Sequence, residues 1–283
     1  MSKIVRIILI VFLGVSLATP AQAWFSHHRK HRKVAKATSY FTARSALLWN
    51  ITSNQVYFSK DAQAKIYPAS TTKVMTVMLA LEKLPLDGYV TVSARATDVA
   101  PTKLDFRPGE QYLVRDLVYA CLLKSANDAA GVLAEAVGGT QEKFVDMMNQ
   151  KALELGARNT HFANPHGLPS QGKQYTTAMD MAIILREALK NPFFQSATTF
   201  RYRIIYSKDG RRHFLKSHNK ALFLDWKQDV LGKTGYTKQA QSCFVGYLKR
   251  GNEILIVDVF GCRNRTRWDD LKWMVEHYAK VNL

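Results

Sequence analysis

Cysteine is scarce. Three residues, Cys121, Cys243 and Cys262, make an odd count and cannot build a disulfide framework. Cys121 falls in an apolar helical run and reads as a core residue. Cys243 and Cys262 fall at the outer parts of an expected hairpin. Centring that hairpin on Gly251 leaves them two or three residues out of register, so free thiols are expected. No H-E-x-x-H spacing occurs, which leaves a metallopeptidase unsupported, and no metal or other cofactor is expected. Nothing beyond residue 23 is apolar enough to span a bilayer, and no internal repeat is present. Acidic residues are also few. Against 40 Lys and Arg stand 22 Asp and Glu, a formal net charge of +18. Such a balance favours anionic surfaces such as nucleic acid, phospholipid or acidic wall polymer.

The N-terminus decides among these partners. Lys3 and Arg6, an apolar stretch over 7–18 and the small-residue site Ala21-Gln22-Ala23 read as a secretory signal over residues 1–23. Its apolar part is short for a membrane span, and an uncleaved anchor is the alternative. Export to the periplasm or another extracytoplasmic space argues against nucleic acid. Removing Lys3 and Arg6 leaves +16 on the mature chain. Residues 24–37 follow as a basic linker, His27-His28-Arg29-Lys30-His31-Arg32-Lys33 and then Lys36. This stretch has almost nothing to bury, so disorder is expected. Weak attraction to an anionic wall or membrane surface is its expected contribution.

Residues 38–283 are read as one domain. The expected strands are 45–49, 55–58, 90–92, 230–234, 242–249 and 254–260, plus a hairpin of 201–206 with 213–216 around Lys208-Asp209-Gly210. Helices are expected over 70–84, 113–123, 128–137, 141–155, 177–190 and 268–281. Residues 97–109, with two prolines, read as an irregular loop. Strands, a block of helices, strands and a last helix imply an α+β fold. Its sheet is antiparallel and drawn from both chain ends, with flanking helices and an inserted helical subdomain.

Three short motifs carry chemistry. In Ser70-Thr71-Thr72-Lys73 the serine opens a buried helix, where free N–H groups and the dipole can stabilise an oxyanion. Lys73 returns to the same face one turn later and can serve as its base once a dry site removes its proton. In Ser125-Ala126-Asn127, the hydroxyl can relay a proton and the amide can hold a carbonyl or orient Lys73. In Lys233-Thr234-Gly235, a second cation binds an anionic group and helps keep Lys73 neutral. The missing side chain of Gly235 lets a substrate backbone lie along the strand.

With Pro68-Ala69 ahead of the first motif, Asp128-Ala129-Ala130 after the second, Asn164-Pro165-His166-Gly167-Leu168, and Tyr236-Thr237 after the third, the sequence resembles the D-alanyl-D-alanine carboxypeptidase family of low-molecular-mass penicillin-binding proteins. The resemblance covers about residues 38–283 and implies a β-lactamase/transpeptidase-like fold. It implies an acyl-enzyme at Ser70, with Lys73 as base and Ser125 as proton relay. Asn127, Lys233, Thr234, Gly235 and Tyr236 would bind substrate, Tyr236 sharing the oxyanion hole with Ser70 through backbone N–H groups. Peptidoglycan stem peptides are then the substrates and β-lactams the covalent inhibitors. Many relatives carry a further β-rich domain and a C-terminal anchor. Here 268–281 is read as a helix packed on the sheet.

Other readings were weighed against this one. A DD-endopeptidase would cut cross-links, and a penicillin-binding sensor would turn over little. A class A β-lactamase needs an E-x-x-x-N glutamate, whereas Glu154 and Asn159 are five apart. His166 reads as a loop organiser, and His218-Asn219 as a border of the cleft.

Overall fold

The computed structural model describes residues 41–171, 173–263 and 266–283. The expected export signal and basic linker lie outside them. Among the described residues no helix is long and apolar enough to cross a membrane.

Five strands form the main sheet: β1 (Ser45–Asn50), β2 (Gln55–Lys60), β7 (Leu231–Thr237), β8 (Gln241–Arg250) and β9 (Glu253–Cys262). Their order is β2-β1-β9-β8-β7, with every neighbouring pair antiparallel. The sheet is thus built from both ends of the chain, as expected, and β7 is an edge strand. Side chains alternate across it with the period of a strand. Leu47, Val245, Tyr247, Ile256 and Phe260 enter the larger core, while Ala46, Leu48, Phe244, Leu255, Val257 and Val259 enter the smaller one. Each of the Leu, Ile, Val and Phe side chains among them contributes roughly 1.5–3 kcal/mol through burial. The smaller core is closed by the last helix, Arg267–Met274, and its continuation Val275–Ala279. That helix packs on the sheet, as the sequence implied.

Between β2 and β7 lies the helical part. It comprises α1 (Lys73–Lys83), α2 (Ala94–Thr97), α3 (Val114–Tyr119), α4 (Asn127–Gly138), α5 (Gln141–Leu155), α6 (Ala178–Ala188) and α7 (Pro192–Thr199). The last helix is α8. Two hairpins accompany them, β3 (Tyr89–Thr91) with β4 (Gln111–Leu113), and β5 (Tyr202–Tyr206) with β6 (Arg212–Lys216). α1 is buried from Lys73 to Ala80, so it has no solvent face over two turns.

Three expectations need correction. The helix expected from Ser70 is a 3₁₀ turn over Ala69–Thr72 that becomes α-helical only at Lys73. The helix expected over 177–190 ends at Ala188, and Asn191-Pro192 then starts another that was not expected. Asn191 Oδ1 accepts from the N–H groups of Phe193 and Phe194, and Pro192 takes the first helical position, where no N–H is needed. The cysteines are free, but register is not the reason. A bulge between Ser242 and Phe244 sets Ser242 opposite Cys262. Cys243 and Cys262 then face opposite cores of the sheet.

One buried group in the sheet is unusual. Asp258, on β9, is fully buried. Its Oδ1 accepts from Gly246 N at 3.2 Å, and its Oδ2 has no partner among the described residues. Burial pushes its carboxyl well above the ordinary range, because an unpaired charge there would be unsolvated.

Candidate active site

Four segments converge on Ser70. Ala69 precedes it with φ of 49°, a left-handed conformation that a small residue tolerates best. Gly167, at φ 87°, lies against the Ala69 carbonyl, where a Cβ would sit 1.8 Å from the oxygen. Only glycine allows that approach. On the other side stands Gly235 of β7, where a Cβ would lie 3.2 Å from Ser70 N and 3.1 Å from the Ala69 side chain. Strand β7 therefore passes directly beside the backbone nitrogen of Ser70. The fourth segment is the break before α4. After a π-helical turn over Ala120–Lys124, Ser125 takes φ 62° and reverses the chain, and Asn127 opens α4.

Lys73 is fully buried, with three oxygens around its amine. These are Ser70 Oγ at 3.1 Å, Asn127 Oδ1 at 2.7 Å and the His166 carbonyl at 2.8 Å. Two of the three can only accept. The orientation of Asn127 is fixed by its Nδ2 donating to Ala100 O at 2.8 Å. A neutral Lys73 satisfies both carbonyls with its two N–H groups and directs its lone pair at the Ser70 hydroxyl. Burial is the leading cause that lowers its pKa to about 7. Desolvation, the dry site expected from the sequence, is thus the leading cause, and Lys233 is not among the leading ones.

Lys233 forms a second pair of the same kind. It is fully buried and donates to Ser125 Oγ at 2.9 Å and Thr234 O at 2.7 Å. Burial first, and then the charge of Lys73, depress it as well. Lys233 keeps a proton more easily when an anion is bound nearby.

A cavity of about 860 Å³ opens above these pairs. Ser70, Ser125, Thr234, Gly235 and Tyr236 line it, but Lys73, Asn127 and Lys233 do not. The five lining residues and the three beneath them are the eight expected site residues, and all eight come together. Lys124, Lys216, Lys220 and Arg267 add positive charge to the walls, and among the described residues no carboxylate side chain lines them. Arg267 donates to the carbonyls of Gly235 and Cys243, tying α8 to the end of β7.

Several contributors had no clear signal in the sequence. The His166 carbonyl holds Lys73, and Thr76 Oγ1 holds the Pro165 carbonyl at 2.6 Å, so α1 grips the 164–168 loop at two points. The His166 ring is kept neutral by burial and by Lys73, its pKa lowered to about 3. Its Nδ1 accepts from Leu168 N, so it organises the loop. Thr102 lines the cavity, and its carbonyl accepts from Asn127 N. His218 lines it too, while Asn219 is buried and donates to Val230 O beside the start of β7. Cys121 is buried with its thiol pushed up to about 12, which removes it as a nucleophile. Glu154 is exposed on α5 and accepts from Gln150 one turn earlier. Among the described residues no three His, Cys, Asp or Glu side chains gather where a metal ion could be held.

A family model described as D-alanyl-D-alanine carboxypeptidase matches residues 31–264. The D-alanyl-D-alanine carboxypeptidase DacF of Bacillus subtilis is 32% identical over 263 residues, 90% of this chain and 66% of its own length. DacB2 of Mycobacterium tuberculosis, which carries the same description, is 35% identical over 76% of this chain and 73% of its own. The crystal structure of a D-alanyl-D-alanine carboxypeptidase from Mycobacterium tuberculosis superposes with a TM-score of 0.78 at 30% identity. The match covers 85% of this chain and 92% of that one.

Proposed function

The chain belongs to the D-alanyl-D-alanine carboxypeptidase family, and from that premise we propose that it is a serine-type DD-carboxypeptidase acting on peptidoglycan stem peptides. The observation that carries this reading is the pair of cleft hydroxyls, Ser70 and Ser125, each backed by a buried lysine amine.

Ser70 Oγ attacks the carbonyl between the two terminal D-alanines, and its proton passes to the Lys73 lone pair. The oxyanion is stabilised by the backbone N–H groups of Ser70 and Tyr236. Support for that hole comes from Gly235, which brings β7 against Ser70 N. Ser125 delivers its hydroxyl proton to the departing amine as the C–N bond breaks and takes one in turn from the Lys233 ammonium, which a bound carboxylate favours. The Thr234 hydroxyl and the basic wall receive the terminal carboxylate, and the substrate backbone runs along the open edge of β7. Water then cleaves the ester at Ser70. A β-lactam opens on Ser70 by the same attack. As a catalytic protein of this kind it acts outside the cytoplasm, with residues 1–23 as export signal. Residues 24–37 then tether it weakly to anionic wall or membrane.

The test uses the mature chain with a D-Ala-D-Ala pentapeptide and with labelled penicillin. Stoichiometric labelling at Ser70 together with catalytic release of D-alanine is expected, and Ser70→Ala should fold but do neither. Release from cross-linked dimers alone would identify an endopeptidase. Labelling without turnover would identify a sensor.

A further inference from the structure

The hairpin β5–β6 has two unlike faces. Ile205, His213 and Leu215 point inward and are buried. The outward residues pair in three rungs, Tyr202 with Lys216, Ile204 with Phe214, and Tyr206 with Arg212. Tyr202, Tyr206 and Phe214 are 48%, 51% and 55% exposed, high values for large rings. The Tyr202 and Phe214 rings stack at 5.7 Å and 20°. Five residues per strand make a ribbon about 14 Å long. Nothing in the fold requires this face to be aromatic, and a contiguous exposed patch of this kind marks a contact surface.

The ribbon is continuous with the catalytic cavity. Lys216, on its first rung, lines the cavity together with Phe223. The ammonium of Lys216 stands 6.0 Å from the Tyr202 ring centre and 5.3 Å from that of Phe223, bridging ribbon and cleft. The Tyr202 and Phe223 rings meet edge to face at 5.5 Å. The charges on the ribbon, Arg212 and Lys216, are both positive, as are those on the adjoining wall.

We propose that the outer face of β5–β6 is a docking surface for the glycan strand of peptidoglycan, whose stem peptide enters the neighbouring cleft. This rests on the reading of the cleft as a stem-peptide site. Pyranose rings present flat C–H faces that stack on aromatic side chains. The free carboxylates of the polymer meet Arg212 and Lys216. The match is one of chemistry and position, because the glycan and the scissile bond belong to one polymer, as the ribbon adjoins the cleft through Lys216.

The experiment measures retention on purified, insoluble peptidoglycan and turnover of a free pentapeptide. Retention is measured in a Ser70→Ala background so that the polymer stays intact. Combining Tyr202→Ala, Tyr206→Ala and Phe214→Ala is expected to weaken retention about tenfold or more and to leave turnover of the free pentapeptide unchanged. Tyr202→Phe with Tyr206→Phe keeps the rings and should keep retention. Should the triple change disturb folding, Phe214→Glu alone is expected to reduce retention while the melting temperature holds. Unchanged retention overturns the proposal. Equal loss of free-peptide turnover does so too, since the ribbon would then serve the fold or the cleft. Loss confined to anionic vesicles overturns it by assigning the face to a membrane. Wild type that turns over no peptide would remove the cleft reading on which the ribbon rests, and that result is read separately from retention.

Discussion

As the proposed base, Lys73 should tie the rate of acylation to pH, and Asn127 should set where the dependence falls. With a pKa of about 7, about half of the Lys73 amine is neutral at pH 7, about a tenth at pH 6 and about a hundredth at pH 5. The second-order rate of penicillin acylation should therefore climb about tenfold per pH unit below neutrality and level off above pH 8. Asn127→Asp moves that limb. It places a carboxylate where Oδ1 now lies 2.7 Å from Lys73 Nζ. At an effective dielectric of about 20, opposite unit charges at that distance attract by roughly 6 kcal/mol. Burial of the new carboxylate offsets part of this. If half survives, the rising limb still moves up by about two pH units. Stopped-flow fluorescence with a labelled penicillin reads the rate constant from pH 5 to 10. A flat wild-type profile, or a limb that stays put in Asn127→Asp, would refute the assignment of Lys73 as the base.

Three further outcomes are expected. Gly167→Ala must strain a left-handed φ and collide with the Ala69 carbonyl. The φ strain alone, about 1–2 kcal/mol, lowers Tm by about 2–8 °C, and Ser70 labelling should fall with it. Asp258 has a raised pKa in the fold. Its contribution to stability is therefore full below the ordinary aspartate range and is lost as pH rises toward its folded value. Asp258→Asn should raise Tm more at pH 8 than at pH 4, and calorimetry showing equal shifts would contradict this. Deleting residues 24–36 should leave free-peptide turnover and Tm unchanged while reducing low-salt retention on anionic vesicles, a difference that vanishes as salt shortens the screening length.

The sheet and most helices were legible because burial imposes a period. Leu47 and Leu48 face opposite cores, and α1 shows a continuous apolar surface. The eight site residues were legible because their motifs specify local geometry, a serine one turn before a lysine and a glycine on a strand. Short elements held by tertiary contacts were not. α2 has four residues and rests on the Ser93 cap, too little pattern to detect. Carbonyl ligands were not legible either. Every residue has a carbonyl, so nothing marks that of His166 as a partner for Lys73 until the loop is folded. Depth of burial was hidden for a related reason. The sequence marked Lys73 for a lowered pKa, whereas burial lowers that of Lys233 as well.

The amines of Lys73 and Lys233 lie beneath the cleft floor, under the hydroxyls of Ser70 and Ser125 that line it. This arrangement filters the chemistry of what is captured. A free amine is the stronger nucleophile, and an acyl group transferred to it would form an amide that water does not readily cleave. A single such event would end turnover. With these two nitrogens roofed by hydroxyls, a carbonyl seated over Ser70 meets oxygen before either of them, and the ester it forms can be undone. The same roof should shield Lys73 and Lys233 from amine-modifying reagents that label the surface lysines, so the depth that tunes their basicity also protects the catalyst from its own substrate.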